Sequence, residues 1–202
     1  MSRHLLIFAR PPELGQVKTR LAQGIGPAAA LAVYEELLAL TRAAAAGVAA
    51  HKTVWLTAAG PSRAVTENHW PGYEQRVQPA GDLGARMSAA FQAAFAAGAT
   101  AAVVIGTDCP DLSAELLEKA FQALATHDAV LGPAVDGGYY LLGMKALIPD
   151  FFLNKPWSTA AVRAATLTDA RRLGLRVAEL PQLRDVDTAA DLAAWRQGAR
   201  LA

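Results

Sequence analysis

Residues 102–112 read Ala-Val-Val-Ile-Gly-Thr-Asp-Cys-Pro-Asp-Leu, and this stretch decides the fold. Four apolar residues, three of them β-branched, give way to a glycine and then to an acid, the pattern of a fully buried strand that ends at a polar edge. Upstream, Met87, Ala90, Phe91, Ala94 and Phe95 repeat at helical spacing as far as Gly98. Downstream, Ser113 is placed to cap a helix reaching about Thr126, with Glu115 in its first turn. Helix, buried strand and helix in succession predict a parallel sheet covered on both faces.

The same alternation extends in both directions. Leu5-Leu-Ile-Phe8 reads as a buried strand, followed by a loop from Arg10 to Gly15 that contains Pro11 and Pro12. Helical pattern starts at Val17, and a longer helix is predicted from Pro27 to Ala46, with Leu31, Tyr34, Leu37 and Leu38 on one face and Gly47 as its stop. Thr53 to Thr57 reads as a second strand, Ala58 to Ser62 as a turn, Ala64 to His69 as a short helix and Arg76-Val-Gln78 as a weak third strand. Ala129-Val-Leu131 and Tyr139 to Leu142 are two more strands, joined by a loop from Gly132 to Gly138. A helix carrying Val162, Ala165 and Leu173 ends at Gly174, Arg176-Val-Ala178 is a last strand, and Thr188-Ala-Ala-Asp191 is a capping box opening a C-terminal helix. The expected architecture is α/β, one domain over residues 1–202, with a mostly parallel open sheet between helices. Ligands of such sheets bind beyond the carboxyl ends of the strands.

The 202 residues are 53% hydrophobic and 18% charged, with a net charge of +1. That composition excludes a disordered chain, and the balance gives no field that would draw nucleic acid or an anionic membrane. One cysteine, Cys109, excludes an internal disulfide framework and multi-cysteine metal centres, which suits the cytoplasm. The apolar run at Leu5 is too short for a secretory signal. The uncharged stretch from Met87 to Thr107 is long enough to span a bilayer, but Gln92, Gly98, Thr100 and Gly106 interrupt it, so no membrane span is expected. The Gly-x-Gly-x-x-Gly and P-loop fingerprints are missing, as is the Gly-x-Ser-x-Gly elbow of serine hydrolases. His4, His51, His69 and His127 show no metal spacing and receive no role.

Four loops carry chemistry. After the first strand, Ala9 and Arg10 lead to Gly15-Gln-Val-Lys18-Thr-Arg20, three cations suited to a polyphosphate, although a solvated basic face has the same composition. Asp108 follows the most apolar strand and is a natural oxygen ligand for Mg²⁺ or Mn²⁺; Asp108 and Asp111 also fit helix caps. Asp185 and Asp187 flank Val186, and alternation sends both carboxylates to one side. Two carboxylates about 4 Å apart repel by about 4 kcal/mol at an effective dielectric of about 20, so an inward pair needs a cation or a proton. Asp136 lies in a glycine loop before Gly137, Gly138 and Tyr139, where a ligand can approach the backbone or a plain hairpin turn can form. Gly81, Asp82 and Arg86 join a strand to a helix and suit a base or phosphate. Trp157, Ser158 and Thr159 offer stacking and hydrogen bonds, with a place in the core as the alternative for Trp157.

Taken in order, Phe8-Ala-Arg…Gly15-x-Val-Lys-Thr-Arg-Leu, Gly81-Asp-Leu-Gly-x-Arg, Gly106-Thr-Asp-Cys-Pro-x-Leu, Gly132-Pro-Ala-x-Asp-Gly-Gly-Tyr-Tyr-Leu-Leu-Gly, Pro156-Trp-Ser-Thr and Asp185-Val-Asp-Thr-x-x-Asp-Leu resemble the bacterial radical-SAM/selenodomain-associated transferases, members of the GT-A nucleotide-diphosphosugar transferase superfamily. More distantly, Lys18-Thr-Arg-Leu resembles phospholactate guanylyltransferases, and Val186-Asp-Thr resembles the late metal-binding segment of molybdenum-cofactor guanylyltransferases. The resemblance implies a GT-A fold and a metal-dependent transferase that moves a sugar from a nucleotide diphosphosugar to a small-molecule acceptor, with nucleotidyl transfer from a nucleoside triphosphate and release of pyrophosphate, or a non-catalytic nucleotide-binding module on the same scaffold, as the alternatives. By matched position it implies Mg²⁺ or Mn²⁺ on Asp108 and Asp187. Arg10, Lys18 and Arg20 would then hold phosphates, and Asp136 would orient or deprotonate an acceptor hydroxyl. The chain departs from the guanylyltransferases in having Ala9-Arg-Pro-Pro12 where they carry a glycine-rich loop, and it lacks the Asp-x-Asp of common glycosyltransferases.

Overall fold

Strand β1 (Arg3–Ala9) sends its side chains alternately to two cores: Leu5, Ile7 and Ala9 to one, Leu6 to the other. That alternation makes it the inner strand of a two-sided sheet. The computed structural model describes residues 2–57 and 69–198, so the expected turn at Ala58 to Ser62 and nearly all of the short helix from Ala64 to His69 lie outside the described residues.

Around β1 assemble β2 (His51–Leu56), β3 (Glu74–Val77), β4 (Ala101–Ile105), β5 (Ala129–Pro133), β6 (Tyr139–Met144) and β7 (Val177–Glu179). They form a seven-stranded sheet in the order β3-β2-β1-β4-β6-β5-β7. Pairing is parallel except for β6, which runs antiparallel to both β4 and β5. The helices are α1 (Thr19–Ile25), α2 (Pro27–Ala46), α3 (Leu83–Ala96), α4 (Ala114–Ala123), α5 (Val162–Arg172) and α6 (Ala189–Gly198). Tyr34 and Leu38 of α2 and Leu117 and Phe121 of α4 pack on the face shared by Leu5 and Ile7. Met87 and Phe91 of α3 and Ala170 of α5 pack on the face of Leu6, Ala102 and Val104. Leu21 of α1 and Leu37 of α2 enclose Val186 in a smaller cluster, with Leu192 and Trp195 of α6 against it.

The predicted α/β class is what the chain adopts, and the differences are local. β2 begins at His51 rather than Thr53, because the ladder to β1 continues through two residues of polar sequence. β3 begins at Glu74 for the same reason, being paired through Thr53 as an edge strand. α4 stops at Ala123, short of Thr126: Ala125 and Thr126 bond to Gln122 and Ala123, and this tighter turn winds the helix down. Ser113 caps α4 by accepting from the Leu116 N–H at 3.2 Å, so neither Asp108 nor Asp111 is spent as its cap. In the α6 capping box Thr188 Oγ1 accepts from the Asp191 N–H at 3.2 Å, and Asp191 accepts from the Thr188 N–H at 2.9 Å. The apolar stretch from Met87 to Thr107 is divided between α3 and β4, and no described helix is long and apolar enough to cross a membrane.

The antiparallel strand fits only because its centre is narrow. Gly143 lies opposite Val103 and Val130, and a Cβ there would come within 2.7 Å of Val130 and 2.9 Å of Val103. Gly143→Ala is therefore expected to destabilise the fold by about 1–3 kcal/mol through overpacking. The measurement is a lower denaturant midpoint with an unchanged slope.

Candidate active site

Six strands end at one edge, and the loops singled out by sequence meet there. Arg10 follows β1, Asp108 comes three residues after β4, Asp136 sits in the β5–β6 turn and Asp185 to Asp187 follow β7. A main-chain bond stitches two of these segments together: the Val186 N–H donates to the Asp108 carbonyl at 2.9 Å. Val186 is fully buried, and the acids on either side of it part company, Asp187 going to Lys18 and Asp185 to the buried Cys109.

Lys18 is the hub. It caps α1 with a left-handed backbone, φ 49° and ψ 43°, a conformation that costs a side-chain-bearing residue energy. Its ammonium lies 2.5 Å from Asp108 Oδ1 and 2.8 Å from Asp187 Oδ1, and its side chain is only 5% exposed. Burial alone would lower the Lys18 pKa, but the charges and hydrogen bonds of Asp108 and Asp187 outweigh it and hold the ammonium above the usual lysine value. Arg20 stands further out, 4.0 Å from Asp187 Oδ2, with a side chain 71% exposed.

The repulsion expected between Asp185 and Asp187 is resolved in two different ways. Asp187 takes the Lys18 ammonium, whereas Asp185 accepts a hydrogen bond from Cys109 Sγ at 2.7 Å. Burial is the main cause that pushes the Asp185 pKa up to about 6. The Cys109 bond opposes it, and the negative charges of Asp108, Asp136 and Asp187 add to it. Burial and Asp185 together push the Cys109 thiol far up, which keeps it a packed, protonated group.

Tyr34 is the residue that sequence reading missed. Its spacing on α2 marks a core position, yet its hydroxyl accepts from the Arg10 N–H at 2.9 Å and donates to the Arg10 carbonyl at 3.0 Å. It thus fixes the turn at which the Arg10 side chain leaves β1 for solvent. Helical periodicity reports which face is buried and carries no signal for a terminal hydroxyl. Ala9 is buried, and its carbonyl accepts from the Thr57 N–H at 3.1 Å.

On the opposite rim, Asp136 is exposed and accepts from the Gly138 N–H at 2.8 Å, the local bond of a turn. Gly137, at φ 89°, leaves no room for a Cβ, which would lie 2.4 Å from the Ala160 carbonyl oxygen. The close approach that glycine permits here is taken up by Ala160 of the chain itself. Trp157 covers Gly84, and both Trp157 and Tyr139 pack against the α3 face of the core. Ser158 is exposed, and Thr159 Oγ1 donates to the Pro156 carbonyl at 2.7 Å. Asp82 caps α3 through the Ala85 N–H at 2.8 Å, and Arg86 Nε donates to the Gly81 carbonyl at 2.9 Å. Lys18, Arg20, Asp108 and Asp187 are therefore brought into one cluster, with Arg10 at the same edge. The residues of 81–86, 136–139 and 157–159 form a rim whose polar groups bond largely within their own loops.

Among the described residues no group of three or more His, Cys, Asp or Glu side chains is placed to hold a metal ion. Asp108 and Asp187 nevertheless converge on a single positive charge, and both keep part of their carboxylate in solvent. Two carboxylates suit Mg²⁺ or Mn²⁺ when substrate phosphates and water complete the shell, which is how Mg²⁺ is commonly bound.

Against this geometry, the model of a family described as "Uncharacterized protein conserved in bacteria (DUF2064)" matches residues 39–159. The chain belongs to the DUF2064 family. Its fold is shared with a crystal structure from Desulfovibrio desulfuricans G20, named a "putative nucleotide-diphospho-sugar transferase". That protein is 35% identical, with a TM-score of 0.93 over 98% of this chain and 88% of that one. Two more distant structures show the fold alone. One is 4-diphosphocytidyl-2C-methyl-D-erythritol synthase from Anaerococcus prevotii DSM 20548 (14% identity, TM-score 0.63, 97% and 98% coverage). The other is Rv0371C from Mycobacterium tuberculosis H37Rv in complex with manganese (14%, 0.56, 96% and 97%). A comparison with curated proteins finds no match. This DUF2064 protein therefore has the nucleotide-diphospho-sugar transferase fold.

Asp185 gives the site a signature in pH. An acid whose pKa is higher folded than unfolded loses stability as pH rises, because the unfolded chain releases its proton first. Asp185 is expected to cost about 2–3 kcal/mol progressively between about pH 4 and pH 6, levelling off above that. Asp185→Asn should remove this slope, so that the variant gains on the wild type at pH 7, as read from denaturant midpoints across the range.

Proposed function

We propose that this DUF2064 protein is a metal-dependent transferase that moves a sugar from a nucleotide diphosphosugar to the hydroxyl of a small acceptor. The observation that carries the reading is the convergence of Asp108 and Asp187 on the Lys18 ammonium at the carboxyl edge, with Arg20 beside Asp187 and Arg10 leaving the same edge. The 35% identical relative with the sugar-transferase name supports the same substrate class. Mg²⁺ or Mn²⁺ on Asp108 and Asp187 would offset the charge of the departing nucleoside diphosphate.

The chain's own groups supply the rest. Arg10 and Arg20 present exposed guanidiniums that can grip phosphate oxygens in pairs. Lys18 adds a point charge, and Ala9, Gly81, Asp82 and Arg86 border the nucleotide. Asp136 takes the proton from the acceptor hydroxyl as its oxygen bonds to the sugar carbon and the bond from that carbon to the phosphate oxygen breaks. Gly138, Ser158 and Thr159 face the acceptor, with Gly137, Tyr139 and Trp157 packed behind them as its wall.

The test is product analysis over a panel of sugar nucleotides and nucleoside triphosphates with Mg²⁺. Release of nucleoside diphosphate is the expected outcome. Pyrophosphate from a triphosphate would replace the reading with nucleotidyl transfer, and neither product would end it. With the active donor in hand, Asp136→Asn should lower turnover about 10²–10⁴-fold while leaving donor affinity nearly unchanged. Arg20→Ala should instead weaken donor binding by about one to two decades, the value of a charge-assisted hydrogen bond.

A further inference from the structure

We infer that Lys18 is a tethered counter-cation that holds Asp108 and Asp187 closed to a divalent ion until a phosphate-bearing ligand draws it away, so that cation and phosphate bind cooperatively. The inference rests on the metal reading above and adds an order of events to it.

The argument starts from occupancy. The ammonium is in contact with an oxygen of each carboxylate and is almost wholly screened from water. A divalent ion bound through the same two oxygens would sit at contact distance from a like charge, so ion and ammonium exclude each other there. Lys18 does not give up the position freely. Leaving would strand a charge that has two partners, and its left-handed backbone already sets the stem toward them. A phosphate supplies what solvent supplies poorly, a dense negative charge within reach of a flexible four-carbon stem. Arg20 provides the internal comparison, since it lies at 4.0 Å from one carboxylate and is mostly exposed; it contributes field without filling the point between the acids. By linkage, whatever factor phosphate adds to cation affinity, the cation returns to phosphate affinity.

The experiment is a Mn²⁺ titration followed by the electron paramagnetic resonance of free Mn²⁺, with no nucleotide and no turnover. Lys18→Met, which keeps length and loses charge, is expected to bind Mn²⁺ at least tenfold more tightly than the wild type. Arg20→Met is expected to shift it less than threefold. Equal or weaker Mn²⁺ binding by a folded Lys18→Met, or an equal gain in Arg20→Met, overturns the inference in favour of general electrostatics. Should Lys18→Met fail the circular-dichroism check of folding, the wild type decides. Inorganic pyrophosphate must then raise its Mn²⁺ affinity at least tenfold beyond what protein-free mixtures show, and no gain refutes the device. Because the Mn²⁺ arm needs no donor, failure of the sugar-transfer reading and failure of this one give different results.

Discussion

The contact on which the site depends is the Lys18 ammonium between Asp108 and Asp187. Three segments remote in sequence meet there: the entrance to α1, the loop after β4 and the segment after β7. None of them places its charge alone. β1 and β4 are neighbours in the sheet, so the loops that leave them emerge side by side. The third segment is brought across by the bond from Val186 to the Asp108 carbonyl and by the burial of Val186 under α1 and α2. A cluster of one cation and two anions is affordable at a sheet edge because the carboxylates remain half in water, so neither bears the full desolvation of a buried ion.

Much of the fold was legible in the sequence because its physical causes are local. A short apolar run such as Ala102 to Ile105 has few alternatives once helical spacing brackets it, and Ser113 and Thr188 mark helix starts by a hydroxyl at a fixed offset. Pro27 and Gly47 bounded α2 as expected. The starts of β2 and β3 are not legible in this way, since both strands owe their first residues to the sheet ladder rather than to apolar character. Which strand would run antiparallel is a matter of strand order, settled by contacts distant in sequence.

The site was legible by type and less so by partner. Residue chemistry and position said that cations and acids would share one edge, and they do. Nothing local said that Lys18 would pair with the acids, that Cys109 would separate the fate of Asp185 from that of Asp187, or that Tyr34 would hold Arg10. Each is a long-range pairing between residues whose local reading was complete without it. Asp82 shows the converse, a residue whose observed bond is local, the cap of α3.

The bond between Cys109 and Asp185 has a chemical result of its own. Thiol reagents and oxidants act on the thiolate of an accessible cysteine, and here the only sulfhydryl is buried, hydrogen-bonded to a carboxylate and held in its protonated form. The folded chain is therefore inert to alkylation and to cross-linking through sulfur. A cysteine introduced at any exposed position would be the one reactive thiol on the molecule, and a spectroscopic label could be attached there without touching the native residue.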